Sequence, residues 1–215
     1  MENAKPTLEN DPPFPKGECG LYYINLDHRT DRLAQIESEL DKMGWREASQ
    51  RIPGVLHPIR GVGCGMAHIH ALEKAMESGY ESVLILEDDF EFTQTKETVH
   101  AAMESIRHLQ YDVVMLAANL HSYWETTDPR FQRVYKATTA SGYLVSRNAM
   151  PLLKQNMEDN MELLKVTQLG EIFEIDQGWS RLQQTGTWYC LHPKLGRQRE
   201  SYSDHCKEVV WLNGI

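Results

Sequence analysis

Residues 82–92 read SVLILEDDFEF: an apolar run passes directly into Glu87, Asp88 and Asp89, and Glu91 follows one residue on. Adjacent carboxylates repel one another and raise each other's pKa. A chain that ends an apolar run this way has something positive to place there. In an extended chain Glu87 and Asp89 point to one side and Asp88 to the other. Two carboxylates on one side form part of a site for a hard cation such as Mn²⁺ or Mg²⁺. Such an ion would remove the repulsion, bridge two phosphates of a substrate and offset charge on a leaving group. A solvated strand end is the plainer explanation of the same acids.

Two reaction classes use acids in this position. In a phosphorelay receiver the acids hold Mg²⁺ and an Asp at the end of a later strand is phosphorylated. The next apolar run here, DVVMLAAN (112–119), ends without an Asp, so that reading fails at its central residue. The other class is sugar transfer from a nucleotide diphosphate donor, in which an acid pair holds the metal on the diphosphate.

The elements that must position these acids follow from hydrophobic spacing. LYYINL (21–26) reads as a buried strand. A helix follows with Leu33, Ile36, Leu40 and Met43 on one face, a cap at Thr30 or Asp31 and a stop at Gly44. RIPGVLHPIRGVGCG is turn-rich. A second helix carries Met66, Ile69, Leu72 and Met76 and stops at Gly79; it feeds the strand that ends at Glu87. A third carries Val99, Met103, Ile106 and Leu109. DVVMLAAN is a third strand, LHSYWETTDPRFQ a long polar and aromatic loop, and ATTASGYLVS a further strand. SRNAMPLLKQNM begins a helix, with Pro151 tolerable in its first turn. Asp176 can cap a short helix, and TWYCL is a last strand. Strands that are apolar on both faces and alternate with helices predict an α/β fold with a largely parallel sheet. In such sheets ligands bind beyond the carboxyl ends of the strands, where Glu87–Asp89 lie.

The 215 residues suit a single domain over 20–215, preceded by a flexible polar tail over 1–19. A net charge of −9 argues against a general nucleic-acid binder, which needs a basic face. The cysteines, Cys19, Cys64, Cys190 and Cys206, form no CxxC pair and read as buried free thiols. No stretch approaches a membrane span, and the polar, proline-rich N-terminus lacks the apolar core of a signal peptide. A cytoplasmic location is expected.

Four blocks carry a resemblance to a known family. YYINLDHRTDRLAQIESEL resembles the opening strand and helix of glycosyltransferase family 25, which includes lipooligosaccharide and collagen galactosyltransferases. GCGMAHIHALEKAMESGYESVLILEDDFEF resembles its second block, with a Gly-Cys turn, a His-bearing helix and the E-D-D strand end in that order. TTASGYLVSRNAM resembles the third. The Asp176 region, followed by Gln198 and SDH, resembles the last. The resemblance implies a GT-A-type fold, a UDP-sugar donor (galactose or glucose), a divalent metal, usually Mn²⁺, and transfer with inversion. The acceptor would be a hydroxyl on a glycan or on a hydroxylysine-type protein side chain. A homodimer is possible. The segment between Arg51 and Gly61 is shorter than the family's, Ala67 stands where a Ser is usual, and His205 where an aliphatic residue is usual.

Site roles follow from both readings. Glu87 and Asp89 are candidate metal ligands, and Asp88 faces the sugar or supports its neighbours. Arg29 and Arg32 follow the first strand, where the fold receives the nucleotide, and Asn25 meets the base or ribose. His68, in the first turn of its helix behind glycines, is placed for an anionic group. Lys194 and Arg197, in the basic loop LHPKLGRQRES, can neutralise a diphosphate. Asp176 is the candidate base for the attacking hydroxyl or simply a helix cap. Asp204 and His205 complete the metal shell or replace Asp176. A catalytically silent relative that binds a nucleotide or a protein partner is the competing function.

Overall fold

A computed structural model describes residues 18–203 and 208–210, with the backbone alone for 201–203 and 208–210. The strands are β1 (Cys19–Asn25), β2 (Gln50–Pro53), β3 (Ser82–Glu87), β4 (Phe90–Phe92), β5 (Val113–Glu125), β6 (Phe131–Ser146), β7 (Trp188–Leu191), β8 (Gly196–Gln198), β9 (Ser201–Ser203) and β10 (Glu208–Val210). The helices are α1 (Thr30–Met43), α2 (Val62–Ser78), α3 (Lys96–Ile106), α4 (Met150–Thr167), α5 (Gly170–Phe173), α6 (Ile175–Gly178) and α7 (Ser180–Thr185).

Six strands form the main sheet in the order β2-β1-β3-β6-β5-β7. The pairs β1–β2, β1–β3 and β5–β7 are parallel, whereas β6 runs antiparallel to both β3 and β5. Every strand of this sheet except β6 therefore shares one direction. The period of two along each strand sorts the core into two layers. Tyr22, Ile24, Val83 and Ile85 face α2 and α4. Leu21, Tyr23, Leu84 and Leu86 face α1 and α3, where Ile36, Leu40, Val99 and Met103 are buried. This is the α/β fold with a largely parallel sheet expected from the sequence.

Several expectations are corrected. The segment read as a long loop is strand: β5 runs on to Glu125 and pairs with β6 down to Gln132. Its distal half is mostly exposed, so it lacks the apolar alternation that marks a half-buried strand. Helix α2 begins at Val62, and its glycines lie inside the helix because neighbours crowd them. A Cβ on Gly63 would collide with the Val55 carbonyl, and one on Gly65 with the Met161 side chain. Helix α1 has Arg29 at its N-cap, with no side-chain cap from Thr30 or Asp31. Gly44 does close it, at φ 74°. The tail lies outside the described residues up to residue 17, and Cys19 already opens β1. Cys19, Cys64 and Cys190 are free thiols, and Cys206 lies outside the described residues.

Candidate active site

A cavity of about 620 Å³ opens at the carboxyl ends of β1 and β3. Its walls are Asn25, the turn Asp88–Asp89 after β3, the connecting segment 54–60, the first turns of α2, the middle of β6 and α6. Glu87, Asp88, Asp89, Glu174 and Asp176 all line it, as do Arg32 and Arg60.

The acids do not alternate as an extended chain would place them. Strand β3 stops at Glu87 and the chain turns, so Asp88 and Asp89 converge. Arg32, in the first turn of α1, donates from Nη1 to Asp88 Oδ1 at 2.9 Å and to Asp89 Oδ2 at 3.3 Å. Asn25 donates to Asp88 Oδ2 at 2.8 Å, and Arg51 holds the Asn25 amide by donating to its Oδ1 at 3.2 Å. Gln198 donates to Asp89 Oδ2 at 3.1 Å from β8, whose pairing with β4 pins the turn. Asp89 Oδ1 is buried and has no hydrogen-bond partner among the described residues. Burial, followed by the charge of Glu87, pushes the Asp89 carboxyl up to about 7 against the pull of Arg32. Burial also raises Asp88, opposed by Arg32 and Asn25.

Glu87 belongs to a second cluster. Its Oε1 lies 3.1 Å from His68 Nε2 and 3.5 Å from Cys64 Sγ, which donates to it. Burial acts to raise Glu87, but the hydrogen bond and charge of His68 outweigh it and hold the carboxyl below its usual value. His68 is fully buried, and its Nδ1 lies 2.7 Å from the Tyr143 hydroxyl. It sits in the second turn of α2, so the helix-start argument for anion binding does not apply to it.

Asp176 is not a helix cap either: Glu174 holds the N-cap position of α6. The Asp176 carboxylate accepts the Thr139 backbone N–H at 2.9 Å. Thr139 sits at φ 80°, a left-handed backbone in a β-branched residue that costs about 1–3 kcal/mol. Asn119 donates to its hydroxyl at 3.0 Å. Burial raises the Asp176 carboxyl above its ordinary value. A strained residue held by a half-buried acid at a cavity wall is a feature that sequence reading missed.

Of the residues singled out from sequence, the cavity gathers Asn25, Arg32, Glu87, Asp88, Asp89 and Asp176. His68 stands behind Glu87. Arg29 pairs with Asp31 outside the cavity lining, and Arg197 pairs with Glu91 on the outer face of the β4–β8 ribbon. Lys194 does not line the cavity. Asp204 and His205 lie outside the described residues. Sequence reading passed over Cys64, Thr139 and Glu174 as site residues. Cys64 had a signal in its spacing of four from His68, which puts both on one helix face.

The stretch that carries the strand-end carboxylates is matched by a sequence profile of sugar-transferring enzymes, which places the protein in a class of glycosyltransferases. That profile, described as "Glycosyltransferase family 25 (LPS biosynthesis protein)", matches residues 60–167. The chain belongs to glycosyltransferase family 25, and the matched half includes Cys64, His68 and Glu87–Asp89. No curated protein matches the chain. Among solved structures, one similar chain is A197 from STIV, at 10% identity and TM-score 0.42, covering 92% of this chain and 98% of that one. A second is a glycosyltransferase involved in glycosylation of the major capsid of PBCV-1, at 8% identity and TM-score 0.46, covering 80% and 91%. A third is a putative nucleotide-diphospho-sugar transferase from Desulfovibrio desulfuricans G20, at 13% identity and TM-score 0.43, covering 81% and 79%. No helix among the described residues is long and apolar enough to cross a membrane.

Proposed function

We propose that the chain transfers a hexose, galactose or glucose, from a UDP-sugar to a hydroxyl of a glycan or protein acceptor, with inversion and with a divalent cation. The observation that carries this reading is the buried Asp89 Oδ1, unpartnered among the described residues, just past the carboxyl end of β3 on the wall of a cavity large enough for a nucleotide sugar. An orphaned carboxylate oxygen in a ring of acids fits a hard cation. Asp89 and Glu87 would hold Mn²⁺ or Mg²⁺, which when bound neutralises charge on the donor's pyrophosphate.

The remaining steps belong to side chains of this protein. Arg32 offsets Asp88 and Asp89 and lies where it can also meet a phosphate oxygen. Asn25, fixed by Arg51 and Asp88, offers a rigid polar edge to the nucleotide. Asp176 receives the proton of the attacking hydroxyl. Its raised pKa brings it closer to the working pH, as a general base requires. Its bond to Thr139 fixes the carboxylate in one orientation.

One observation favours the competing reading, a relative that binds nucleotide without turnover: the guanidinium of Arg32 already bridges Asp88 and Asp89. Hydrolysis of UDP-sugars with and without Mn²⁺ separates the two. Mn²⁺-dependent release of free sugar, lost in Asp89→Ala, supports transfer. Tight UDP binding with no release on any donor, with or without metal, overturns it.

A further inference from the structure

We propose that Cys64, His68 and Glu87 form a centre for a borderline-soft divalent metal of the Zn²⁺ class, which shares Glu87 with the hard-cation site at Asp89 but draws its other ligands from α2. Cys64 and His68 stand four residues apart on α2 and so share a face. Glu87 meets them from the end of β3. One ligand atom from each residue lies within 4.8 Å of the other two. Two of the separations, 3.1 Å from His68 Nε2 to Glu87 Oε1 and 3.5 Å from Cys64 Sγ to the same oxygen, are close to those of a tetrahedral ion. Zn–N, Zn–O and Zn–S bonds at tetrahedral angles set ligand atoms about 3.3–3.6 Å apart.

The surroundings suit the assignment. The Tyr143 hydroxyl stands 2.7 Å from His68 Nδ1. With a metal bound in place of the Nε2 proton, His68 would donate Nδ1–H to that oxygen and turn its Nε2 lone pair to the ion, which is how a metal-ligating histidine is held by its outer partner. Cys64 and Glu87 line the cavity, so the fourth position of a four-coordinate ion opens to it and an entry path exists. Asp88, Asp89, Glu174 and Asp176 line the same cavity and draw a dication in. Sulfur and imidazole nitrogen select Zn²⁺ or Co²⁺ over Mg²⁺ and Mn²⁺. A carboxylate has two oxygens, so Glu87 Oε1 can serve this centre without excluding a hard cation on Asp89.

The test uses the full chain, stripped with chelator and free of added thiol, titrated with Co²⁺ alone and with no nucleotide present. Expected is one tetrahedral cobalt spectrum with a near-ultraviolet sulfur-to-cobalt charge-transfer band, bleached by Zn²⁺ and not by Mg²⁺. Cys64→Ser should abolish that band, and Cys190→Ser should leave it intact. Tyr143→Phe should weaken Co²⁺ binding about tenfold. If circular dichroism shows Cys64→Ser unfolded, Glu87→Gln is read in its place, with the sulfur band kept and the affinity reduced. The proposal is overturned by a wild-type spectrum without the sulfur band, by the same band in a folded Cys64→Ser, by an unweakened Glu87→Gln, or by Mg²⁺ displacing Co²⁺ as well as Zn²⁺ does. None of these readouts depends on sugar transfer.

Discussion

Asp89→Asn removes a charge that the fold holds at a cost. Burial and the neighbouring Glu87 move this carboxyl from an ordinary 3.8 to about 7, with Arg32 and Gln198 as the favourable partners facing it and Asp88 as a further repulsive one. Below the ordinary value the group is protonated in both folded and unfolded chains, so there is no cost. Between the ordinary value and the raised one, the folded chain binds the extra proton. Stability therefore falls as pH rises through this window. Above the raised value both states are ionised and the full penalty stands. A shift of about three units corresponds to about 4 kcal/mol. For a chain of this length each kcal/mol moves the melting point by about 2–4 °C, so the penalty is worth about 8–16 °C. The assay is thermal melting of wild type and Asp89→Asn in chelator, at pH 5 to 8. Other carboxylates titrate in both proteins and cancel in the difference. The variant should be increasingly the more stable of the two as pH rises, and Mn²⁺ should narrow the gap by stabilising only the wild type. A difference that does not change with pH would refute the reasoning, and with it the picture of Asp89 as a strained acid awaiting a cation.

Other outcomes follow from the same geometry. Asp176→Asn keeps an oxygen for the Thr139 N–H but loses the base, so kcat for transfer should fall about 10²–10⁴-fold while UDP affinity by calorimetry holds; an unchanged kcat removes Asp176 from the reaction. In wild type the acid limb of the kcat profile should reflect a pKa above that of an ordinary Asp, so activity rises with pH through that raised value. Glu39 is 1% exposed and accepts from Arg199 at 3.0 Å and from the Phe92 N–H at 3.1 Å. Glu39→Ala should cost about 1–3 kcal/mol in urea denaturation, because the Phe92 N–H loses its buried acceptor while Arg199 keeps Glu91. Gly142→Ala would bring a Cβ to 2.5 Å from the Phe90 ring and 3.2 Å from Leu86, and should cost about 1–3 kcal/mol; an unmoved urea midpoint would mean the Phe90 ring gives way freely.

Much of the fold was legible because its signals are local. β1 and β3 are short apolar runs, and α1, α2 and α3 have clear stripes, so their existence follows from local spacing alone. The hairpin of β5 and β6 was not legible. Its outer half contains residues such as Trp124, 70% exposed, and its order comes from ladder hydrogen bonds that no apolar pattern announces. The early start of α2 was hidden for another reason. Gly63 and Gly65 read as breakers, yet they serve close packing against Val55 on the preceding connecting segment and Met161 on α4. In the site, the acids themselves stood out, but their partners did not. Arg32 reaches Asp88 across 56 residues, and Thr139 meets Asp176 across 37. The alternation argument for Glu87 and Asp89 failed because β3 ends at Glu87, two residues too soon for it to apply.

The two rims of the cavity differ in kind. On one side Asn119 and Thr138 are register partners within the β5–β6 ladder, so that rim moves only if paired backbone moves with it. On the other, residues 54–60 belong to no helix or strand and carry Leu56 out into solvent at 70% exposure. Insertions and substitutions are tolerated far better in such a connecting stretch than in a ladder. Retuning which acceptor this scaffold admits should therefore proceed by rewriting 54–60, with the opposite rim left as a fixed jaw.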